Sequence, residues 1–310
     1  MKKDENTIPA LEIKDLSVSF SMYDKGWHKK ELEVIHELSV KVMPGEILAV
    51  VGSSGSGKSI LAHAALGLLP KNATVSGRME AFGQELTKKQ QEKLRGHEIA
   101  FIPQSVDYLD PLMKIKKQVT GVWGTEEKQK ALFEKYQLEE KVGEMYPFQL
   151  SGGMARRVLI STAMMGEPKL IIADEPTPGL SKELAMETLQ HFRSMADMGC
   201  GVLLITHDID LAFEVADKIA VFYAGTTVEV ANVEDFKQGA DALRHPYSKA
   251  FLRALPGNEF EPIEGFQPYA GNLPSGCLFA DRCPVRTDAC QGEIPMRELR
   301  KGEVRCVNAT

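Results

Sequence analysis

The glycine-rich stretch that begins at Gly52 has the residue types and spacing of a phosphate-binding loop. It fits the pattern G-x-x-x-x-G-K-S/T, in which glycines allow backbone N–H groups to turn towards phosphate oxygens. In this pattern the lysine reaches the β- and γ-phosphates of a nucleotide, and the last hydroxyl binds Mg²⁺. The predicted nucleotide-binding residues are Gly52, Ser53, Ser54, Gly55, Ser56, Gly57, Lys58 and Ser59.

The residues on both sides of this loop match the order that such a site requires. Residues 46–51 form a short apolar run of strand length, and residues 59–69 are rich in Ala and Leu, as in a helix. A strand, a loop and a helix in this order place the phosphates at the helix N-terminus, which attracts anions. The alternative, a Gly/Ser-rich turn that binds no ligand, would not explain why a predicted strand precedes the loop and a predicted helix follows it.

Two acidic residues that could take part in catalysis follow the apolar run 170–173. Asp174 lies at the carboxyl end of this predicted strand, where it can hold Mg²⁺, and parallel α/β sheets bind ligands at this edge. Glu175 points to the opposite face, because successive strand residues alternate, and it can act as the base that orients an attacking water. The alternative is a solvated Asp-Glu turn.

A second anion site is predicted at Ser151-Gly152-Gly153. Ser151 precedes a helix-prone run and is a natural N-cap, and the two glycines expose bare backbone to a phosphate. The chain already has one phosphate loop. The simplest interpretation is that this second site completes the nucleotide site of a partner chain.

Strands that alternate with helices predict an α/β fold. We expect half-buried strands at 11–20 and 38–42, with a loop at 21–33 between them. Residues 105–165 are charged and helix-prone, which indicates a mainly helical insertion. From about residue 240, Pro, Gly and short polar segments indicate a C-terminal extension that does not continue the sheet. The predicted buried strands are 98–102, 170–174, 202–206 and 218–222.

The composition narrows the class of protein. Of 310 residues, 43% are hydrophobic and 26% charged, as in an ordinary globular protein, and the net charge of −6 gives no reason to expect nucleic acid as a partner. No apolar run approaches the roughly eighteen residues of a membrane span, and no signal segment follows the N-terminus. We therefore expect a cytoplasmic protein or one bound to the inner face of a membrane.

Together, Leu150–Met154, Asp174-Glu175, Gln104 after a strand and His207 in Leu-Ile-Thr-His-Asp resemble the ATP-binding subunits of ABC transporters, over roughly residues 10–235. The resemblance implies a P-loop NTPase fold with an antiparallel β layer and a helical subdomain. It also implies a dimer, in which two ATP molecules each lie between one phosphate loop and the opposing signature motif, which corresponds to Leu150–Met154 in this chain.

The same resemblance implies roles for two further residues. Gln104 resembles the glutamine that senses Mg²⁺ and the γ-phosphate and relays to the membrane subunits. His207 resembles the histidine that contacts the γ-phosphate, although a histidine at the end of a strand is also common without any function. Family members stack adenine on an aromatic residue before the phosphate loop, and Phe20 fits by register. Tyr23 and Trp27 compete with it, and core packing is the other interpretation of Phe20.

Two departures from the family pattern bear on catalysis. Met154 stands where the general family has Gln, although peptide and nickel importers commonly carry Met. Ser181 stands where the family usually has Asp, in Pro-Thr-Pro-Gly-Leu-Ser. The second change puts in doubt how well this chain supports hydrolysis at the opposite site. We therefore expect an asymmetric dimer with a different ATPase.

The C-terminal part resembles the oligopeptide, dipeptide and nickel import branch. Tyr146-Pro147-Phe148 and the run His245–Leu255 carry this likeness, and so does a four-cysteine pattern. The gaps between the cysteines are five, six and fifteen residues, unlike a C-x₂-C zinc site or the compact ferredoxin run. Some relatives bind a [4Fe–4S] cluster there; four thiolates suit that cluster or Zn²⁺, and no metal is the third alternative. The four are Cys277, Cys283, Cys290 and Cys306. Cys200 is expected to be structural.

These observations predict an ATPase domain at 1–240, with its helical subdomain at about 105–165, and a C-terminal extension at 241–310. The predicted function is hydrolysis of ATP with Mg²⁺ to power an importer of peptides, nickel or metal chelates. The implied partners are a second ATPase, two membrane permeases and, indirectly, an extracytoplasmic binding protein.

A soluble ABC ATPase uncoupled from transport is the alternative, although such proteins tend to carry two cassettes or a long coiled coil. A regulator without turnover is a third class, which Glu175 argues against.

Overall fold

The computed structural model describes residues 7–23, 28–122 and 124–310, which are built on two β-sheets. The strands are β1 (Leu11–Tyr23), β2 (Lys29–Val42), β3 (Ile47–Gly52), β4 (Ala73–Ala81), β5 (Gln84–Glu85), β6 (Ile99–Ile102), β7 (Leu170–Asp174), β8 (Gly201–Ile205), β9 (Lys218–Tyr223), β10 (Thr226–Asn232), β11 (Arg297–Leu299) and β12 (Gly302–Val304). The helices are α1 (Lys58–Leu66), α2 (Lys88–Leu94), α3 (Ile115–Thr120), α4 (Glu126–Lys135), α5 (Gly152–Ala163), α6 (Lys182–Asp197), α7 (Ile209–Val215), α8 (Val233–Lys237) and α9 (Pro246–Arg253).

The centre of the larger sheet is parallel, in the order β9-β3-β8-β7-β6. β3, β7 and β8 are buried at every residue, because elements pack on both faces and these strands carry no polar side chain except Asp174 at the end of β7. These strands confirm the predicted α/β fold, with bounds within one residue of the predicted ones.

The two faces of this sheet belong to two separate hydrophobic clusters. Val50 packs into a cluster with Leu61 of α1 and Leu38 of the antiparallel sheet. Its neighbour Val51 packs into the other cluster, which contains Val158 of α5 and Phe192 of α6. Successive residues of β3 therefore join the antiparallel layer to the helical part, since strand side chains alternate between faces.

The predicted loop at 21–33 was wrong in most of its length. β1 runs to Tyr23 and β2 begins at Lys29, and these two residues are paired in an antiparallel hairpin of the four-stranded sheet β2-β1-β4-β5. Many of the described side chains in this stretch are exposed or half-buried. The hairpin therefore lacks the apolar alternation by which a strand is recognised from its sequence.

The prediction that the C-terminal extension does not continue the sheet was also wrong. β12 pairs with β10 through Val304 and Glu229, and β11 pairs with β12, so the last strands extend the eight-stranded sheet. β10 had not been predicted. Three-residue strands are too short to show periodicity, and their pairing partner lies about seventy residues away along the chain.

Among the described residues, no helix has the length and apolar character needed to cross a membrane.

Candidate functional site

The phosphate loop joins β3 to α1, and backbone geometry requires glycine at both of its ends. Gly52 has φ of 151°, and a Cβ there would lie 2.3 Å from the carbonyl oxygen of Phe222. Gly57 caps α1 with φ of 92°, and a Cβ there would lie 2.3 Å from Cδ1 of Ile35. Any side chain at either position would collide with a neighbouring strand, so the loop conformation depends on these residue types.

Lys58 holds the loop closed from within. Its Nζ donates to the carbonyl oxygen of Gly52 at 2.9 Å and to that of Ser53 at 3.0 Å. Partial burial lowers the pKa of Lys58, while the nearby charges of Glu175 and Asp174 act in the opposite direction. The ammonium group therefore lies against the loop backbone, within the electrostatic influence of both carboxylates.

Asp174, at the carboxyl end of β7, has a buried oxygen without a partner. The side chain is 2% exposed, and Oδ1 makes no hydrogen bond. Burial raises the pKa of Asp174, and a hydrogen bond with Ser59 opposes this shift. An unpaired buried carboxylate oxygen is costly, so it points to a missing ligand. A carboxylate and a hydroxyl are oxygen ligands of the kind that Mg²⁺ prefers, so these two residues fit that ion.

Glu175 and His207 form a pair at the same edge of the sheet. Oε2 of Glu175 lies 2.5 Å from Nδ1 of His207, which follows the end of β8. Glu175 is 7% exposed and has φ of 49°, in the left-handed region, while its N–H donates to the carbonyl oxygen of Ile205. Strained backbone of this kind persists where surrounding structure enforces it, often at functional sites. The strand ends thus bring Lys58, Asp174, Glu175 and His207 together.

Gln104 follows β6 and has an exposed side chain, while its backbone is tied to α5, the helix that begins within the signature motif. Arg156 of α5 is 5% exposed and donates to the carbonyl oxygens of Pro103, at 2.5 Å, and of Gln104. Arg156 was not among the residues predicted from the sequence. The available signal was an arginine on the buried face of a predicted helix, where a charged group needs partners.

The residues Ser151-Gly152-Gly153 form the open N-terminus of α5. Oγ of Ser151 accepts from the N–H of Met154 at 3.3 Å, which confirms the predicted N-cap. Ser151 and Gly152 are exposed, and a Cβ on Gly152 would meet no atom within 4 Å. Across the described residues, no hydrogen bond or ion pair joins this motif to the phosphate loop. This helix end is therefore free to meet a ligand from outside.

The aromatic candidates for adenine differ in environment. Phe20 is half-buried and packs against the cluster that contains Val50 and Leu61, while Tyr23 is 66% exposed. Trp27 lies outside the described residues. Both interpretations of Phe20, as a stacking platform and as a core residue, fit its partial burial.

The four C-terminal cysteines lie near one another without forming a ready metal site. The N–H of Cys277 donates to the carbonyl oxygen of Cys290 at 2.8 Å, and all four thiols influence one another electrostatically. Burial raises the pKa of Cys277 to about 11, which favours the neutral thiol. Over residues 7–23, 28–122 and 124–310, no group of three or more His, Cys, Asp or Glu residues is arranged to hold a metal ion. Among the described residues, the thiols are therefore not gathered into a metal site.

Comparisons with known proteins agree with this geometry. The ABC transporter family matches residues 35–178, and the C-terminal region of the oligopeptide/dipeptide transporter family matches residues 228–290. The oligopeptide transport ATP-binding protein OppD of Escherichia coli is 33% identical over 317 residues, which cover 95% of this chain and 91% of OppD. The dipeptide transport ATP-binding protein DppD of Haemophilus influenzae is 33% identical over 319 residues, covering 96% and 94%.

Solved structures show the same fold. A dimeric ATP-binding cassette in a post-hydrolysis state, bound to ADP and phosphate, has a TM-score of 0.63 at 23% identity and covers 72% of this chain and 98% of its own. An ATP-binding subunit of an ABC transporter has a TM-score of 0.61 at 25% identity and covers 74% and 92%. The fold and the site define a P-loop ATPase of the ABC type. The chain belongs to the family of ABC transporter ATP-binding proteins, with the C-terminal region typical of oligopeptide and dipeptide transporters.

Proposed function

We propose that this chain binds and hydrolyses ATP to power a membrane importer of peptides or related cargo, such as nickel or a metal chelate. The observation that carries the proposal is the convergence of Lys58, Asp174, Glu175 and His207 at one edge of the sheet, in a chain whose C-terminal region matches that of peptide transporters. Phosphoryl transfer of this kind depends on positioning and on charge neutralisation around the γ-phosphate.

Each residue has a role in this proposal. The phosphate loop and Lys58 hold the phosphates, and Ser59, Asp174 and Gln104 hold Mg²⁺, which neutralises phosphate charge when bound. Glu175 accepts hydrogen bonds from the attacking water and orients it, and its contact with His207 keeps the carboxylate in place. His207 also contacts the γ-phosphate. Phe20 stacks on adenine.

The signature motif completes the nucleotide site of a second ATPase. What supports this is the exposed, capped N-terminus of α5, which no described contact joins to the chain's own phosphate loop. Ser181, where the family usually has Asp, caps α6 by accepting from the N–H of Leu184 at 3.3 Å. Because this serine carries no charge, we propose a heterodimer whose two sites differ. If the purified chain alone hydrolysed ATP at the full rate of the transporter, the heterodimer would be contradicted.

Two membrane permeases complete the proposed complex, which places the chain on the cytoplasmic face of the membrane. The test is uptake of a labelled tripeptide by cells that lack the gene for this chain. We expect uptake to return with the wild-type gene and not with the gene for the Glu175→Gln variant. The wild-type protein and the variant should both co-purify with two permeases from membranes. Wild-type protein that hydrolyses ATP but neither restores uptake nor binds a permease would favour the soluble ABC ATPase.

The extension, residues 241–310, is proposed to carry a [4Fe–4S] cluster or Zn²⁺ on its four cysteines, while its last strands remain part of the sheet. The donor type and the proximity of the thiols support this proposal, while the absence of a gathered group of three ligands in the described structure opposes it. Anaerobic purification followed by iron, sulfide and zinc analysis decides between the two metals. A colourless protein without iron or zinc would rule out both.

A further inference from the structure

A side-chain hydrogen bond joins the C-terminal extension to the phosphate loop. Oγ of Ser53 donates to Oε1 of Gln267 at 2.6 Å, across 214 residues of sequence. Both side chains are half-buried, so the hydrogen bond is partly shielded from water. Nothing in the sequence pattern of either residue predicts this contact.

Ser53 is the residue on which several contacts of the loop converge. Its carbonyl oxygen accepts from Nζ of Lys58 at 3.0 Å and from the N–H of Ser56 at 3.2 Å. Tyr247, in α9 of the extension, also lies near Ser53, which opposes the rise in the pKa of Tyr247 that burial causes. A displacement of Ser53 would therefore move the carbonyl that positions Lys58.

The segment that carries Gln267 is held in place by Arg282. Nε of Arg282 donates to the carbonyl oxygen of Glu264 at 2.7 Å, and one Nη donates to that of Ile263 at 2.9 Å. The other Nη donates at 3.1 Å to the hydroxyl of Tyr223, the last residue of β9, and the ring of Tyr223 packs against Tyr247 with 4.4 Å between centroids. Arg282 thus anchors the backbone shortly before Gln267.

The extension and the phosphate loop also share a cavity of about 330 Å³. Its wall includes Gly55 of the loop and Val34 of β2 on one side, and Gln267 and Tyr269 of the extension on the other. The extension therefore faces the phosphate loop over several residues as well as at this hydrogen bond.

We propose that Gln267 is a positioning residue of the nucleotide site, which acts through Ser53 and sets the affinity for nucleotide from within the same chain. The inference rests on the proposed function, since it takes the phosphate loop to be the ATP site. The hydrogen bond keeps Ser53 where its carbonyl orients Lys58. The C-terminal extension is then part of the ATP site as well as of the sheet.

The test is the Kd of the purified full chain for a fluorescent N-methylanthraniloyl-ADP in the presence of Mg²⁺. Loss of one neutral hydrogen bond corresponds to roughly fivefold weaker binding, which is what we expect for Gln267→Ala. The midpoint of thermal unfolding should stay within about 4 °C of the wild-type value. Gln291→Ala is the matched control, because Gln291 is exposed in the same extension. A Gln267→Ala protein that binds as tightly as wild type would overturn the proposal.

A double-mutant cycle separates action through Ser53 from a general loosening of the extension. Ser53→Ala removes the same hydrogen bond from the other side, so adding Gln267→Ala to it should weaken binding no further. Additive losses would contradict action through Ser53. If Gln267→Ala does not fold, Ser53→Ala alone and Gln267→Glu still test the contact. The glutamate keeps the acceptor oxygen but adds a negative charge beside the phosphates, so its affinity should fall below that of wild type and recover partly in high salt.

These outcomes are distinct from failure of the proposed function. If the wild-type chain does not bind the fluorescent nucleotide, the ATPase assignment itself fails. If wild type binds and the Gln267 variants bind equally well, only the positioning role is lost.

Discussion

Two clusters of charged residues lie at different places on the same eight-stranded sheet, and they are built in opposite ways. In the nucleotide site, Asp174 leaves a buried oxygen without a partner, and Glu175 has a left-handed backbone. Near β10, Arg244 and Glu229 are 2% and 0% exposed and form an ion pair of 3.3 Å.

The second cluster is closed by its own hydrogen bonds. Besides Glu229, the guanidinium of Arg244 contacts Asp235 at 2.8 Å and donates to the carbonyl oxygens of Leu299, at 2.6 Å, and of Arg300, at 2.5 Å. Both carboxylate oxygens of Glu229 accept backbone N–H groups, from Arg244 and His245. A buried charge whose partners all come from the chain stabilises structure, whereas one left incomplete is ready to bind a ligand. The comparison predicts that changes in the first cluster affect turnover and changes in the second affect stability.

The largest effect is expected from Glu175→Gln. Removal of a general base or water-orienting carboxylate lowers turnover by about 10²–10⁴-fold, while nucleotide binding should remain. The measurement is phosphate release by the purified transporter together with nucleotide affinity. Glu214→Gln is the control, because Glu214 is exposed on α7. Turnover at the wild-type rate would refute the role of Glu175.

Arg244→Met should affect stability and leave the chemistry of the site intact. Removing one partner of a buried ion pair costs about 3–5 kcal/mol, because the other charge stays buried. Urea denaturation should show this loss in the free energy of unfolding. The matched change Arg286→Met removes an exposed ion pair with Asp281 and should cost less than about 1 kcal/mol. Equal losses in the two variants would contradict the structural role of the Arg244 cluster.

Lys58→Ala should weaken nucleotide binding more than stability. A charged hydrogen bond is worth about 1.5–3 kcal/mol, which corresponds to roughly 10–150-fold in Kd. Titration with the fluorescent nucleotide measures the loss, and the exposed Lys71→Ala provides the baseline. Comparable affinity in the two variants would show that Lys58 does not face the phosphates.

The smallest expected effect is a pH dependence of the free energy of unfolding, which arises from His245 in the buried cluster around Arg244. Burial lowers the pKa of His245 from 6.5 to about 3. Between these values the unfolded chain binds a proton that the folded chain does not, so stability falls as the pH falls below 6.5. At pH 5 the loss relative to pH 8 is about 2 kcal/mol.

His245→Asn should remove this part of the pH dependence. Asparagine retains a side-chain acceptor for the N–H of Tyr247, which Nδ1 of His245 accepts at 3.0 Å, but it does not titrate. Urea denaturation at pH 5 and pH 8 measures the difference. The exposed His28→Asn should keep the wild-type profile, and a wild-type profile in His245→Asn would exclude His245 as its source.

The nucleotide side of the molecule could be predicted closely from local sequence. β3, β7 and β8 are continuous apolar runs, and their polar residues follow at the strand ends, where parallel strands bring them to one edge. The hairpin β1–β2 and the short strands β11 and β12 could not be predicted in this way. Their pairing depends on backbone hydrogen bonds between distant or exposed segments, which leave little trace in hydrophobic periodicity.

Sequence alone determined the class of the protein, the positions of the phosphate loop and signature motif, and the location of reactive polar residues at the strand ends. Each of these depends on residue types within a few positions of one another. Only the tertiary structure decided that Arg156 holds the Gln104 loop, that Arg244 closes a buried cluster and that Gln267 reaches Ser53. These contacts join residues far apart in the chain, and their partners are often backbone carbonyls, which every residue carries. No residue pattern can specify them until the fold brings them together.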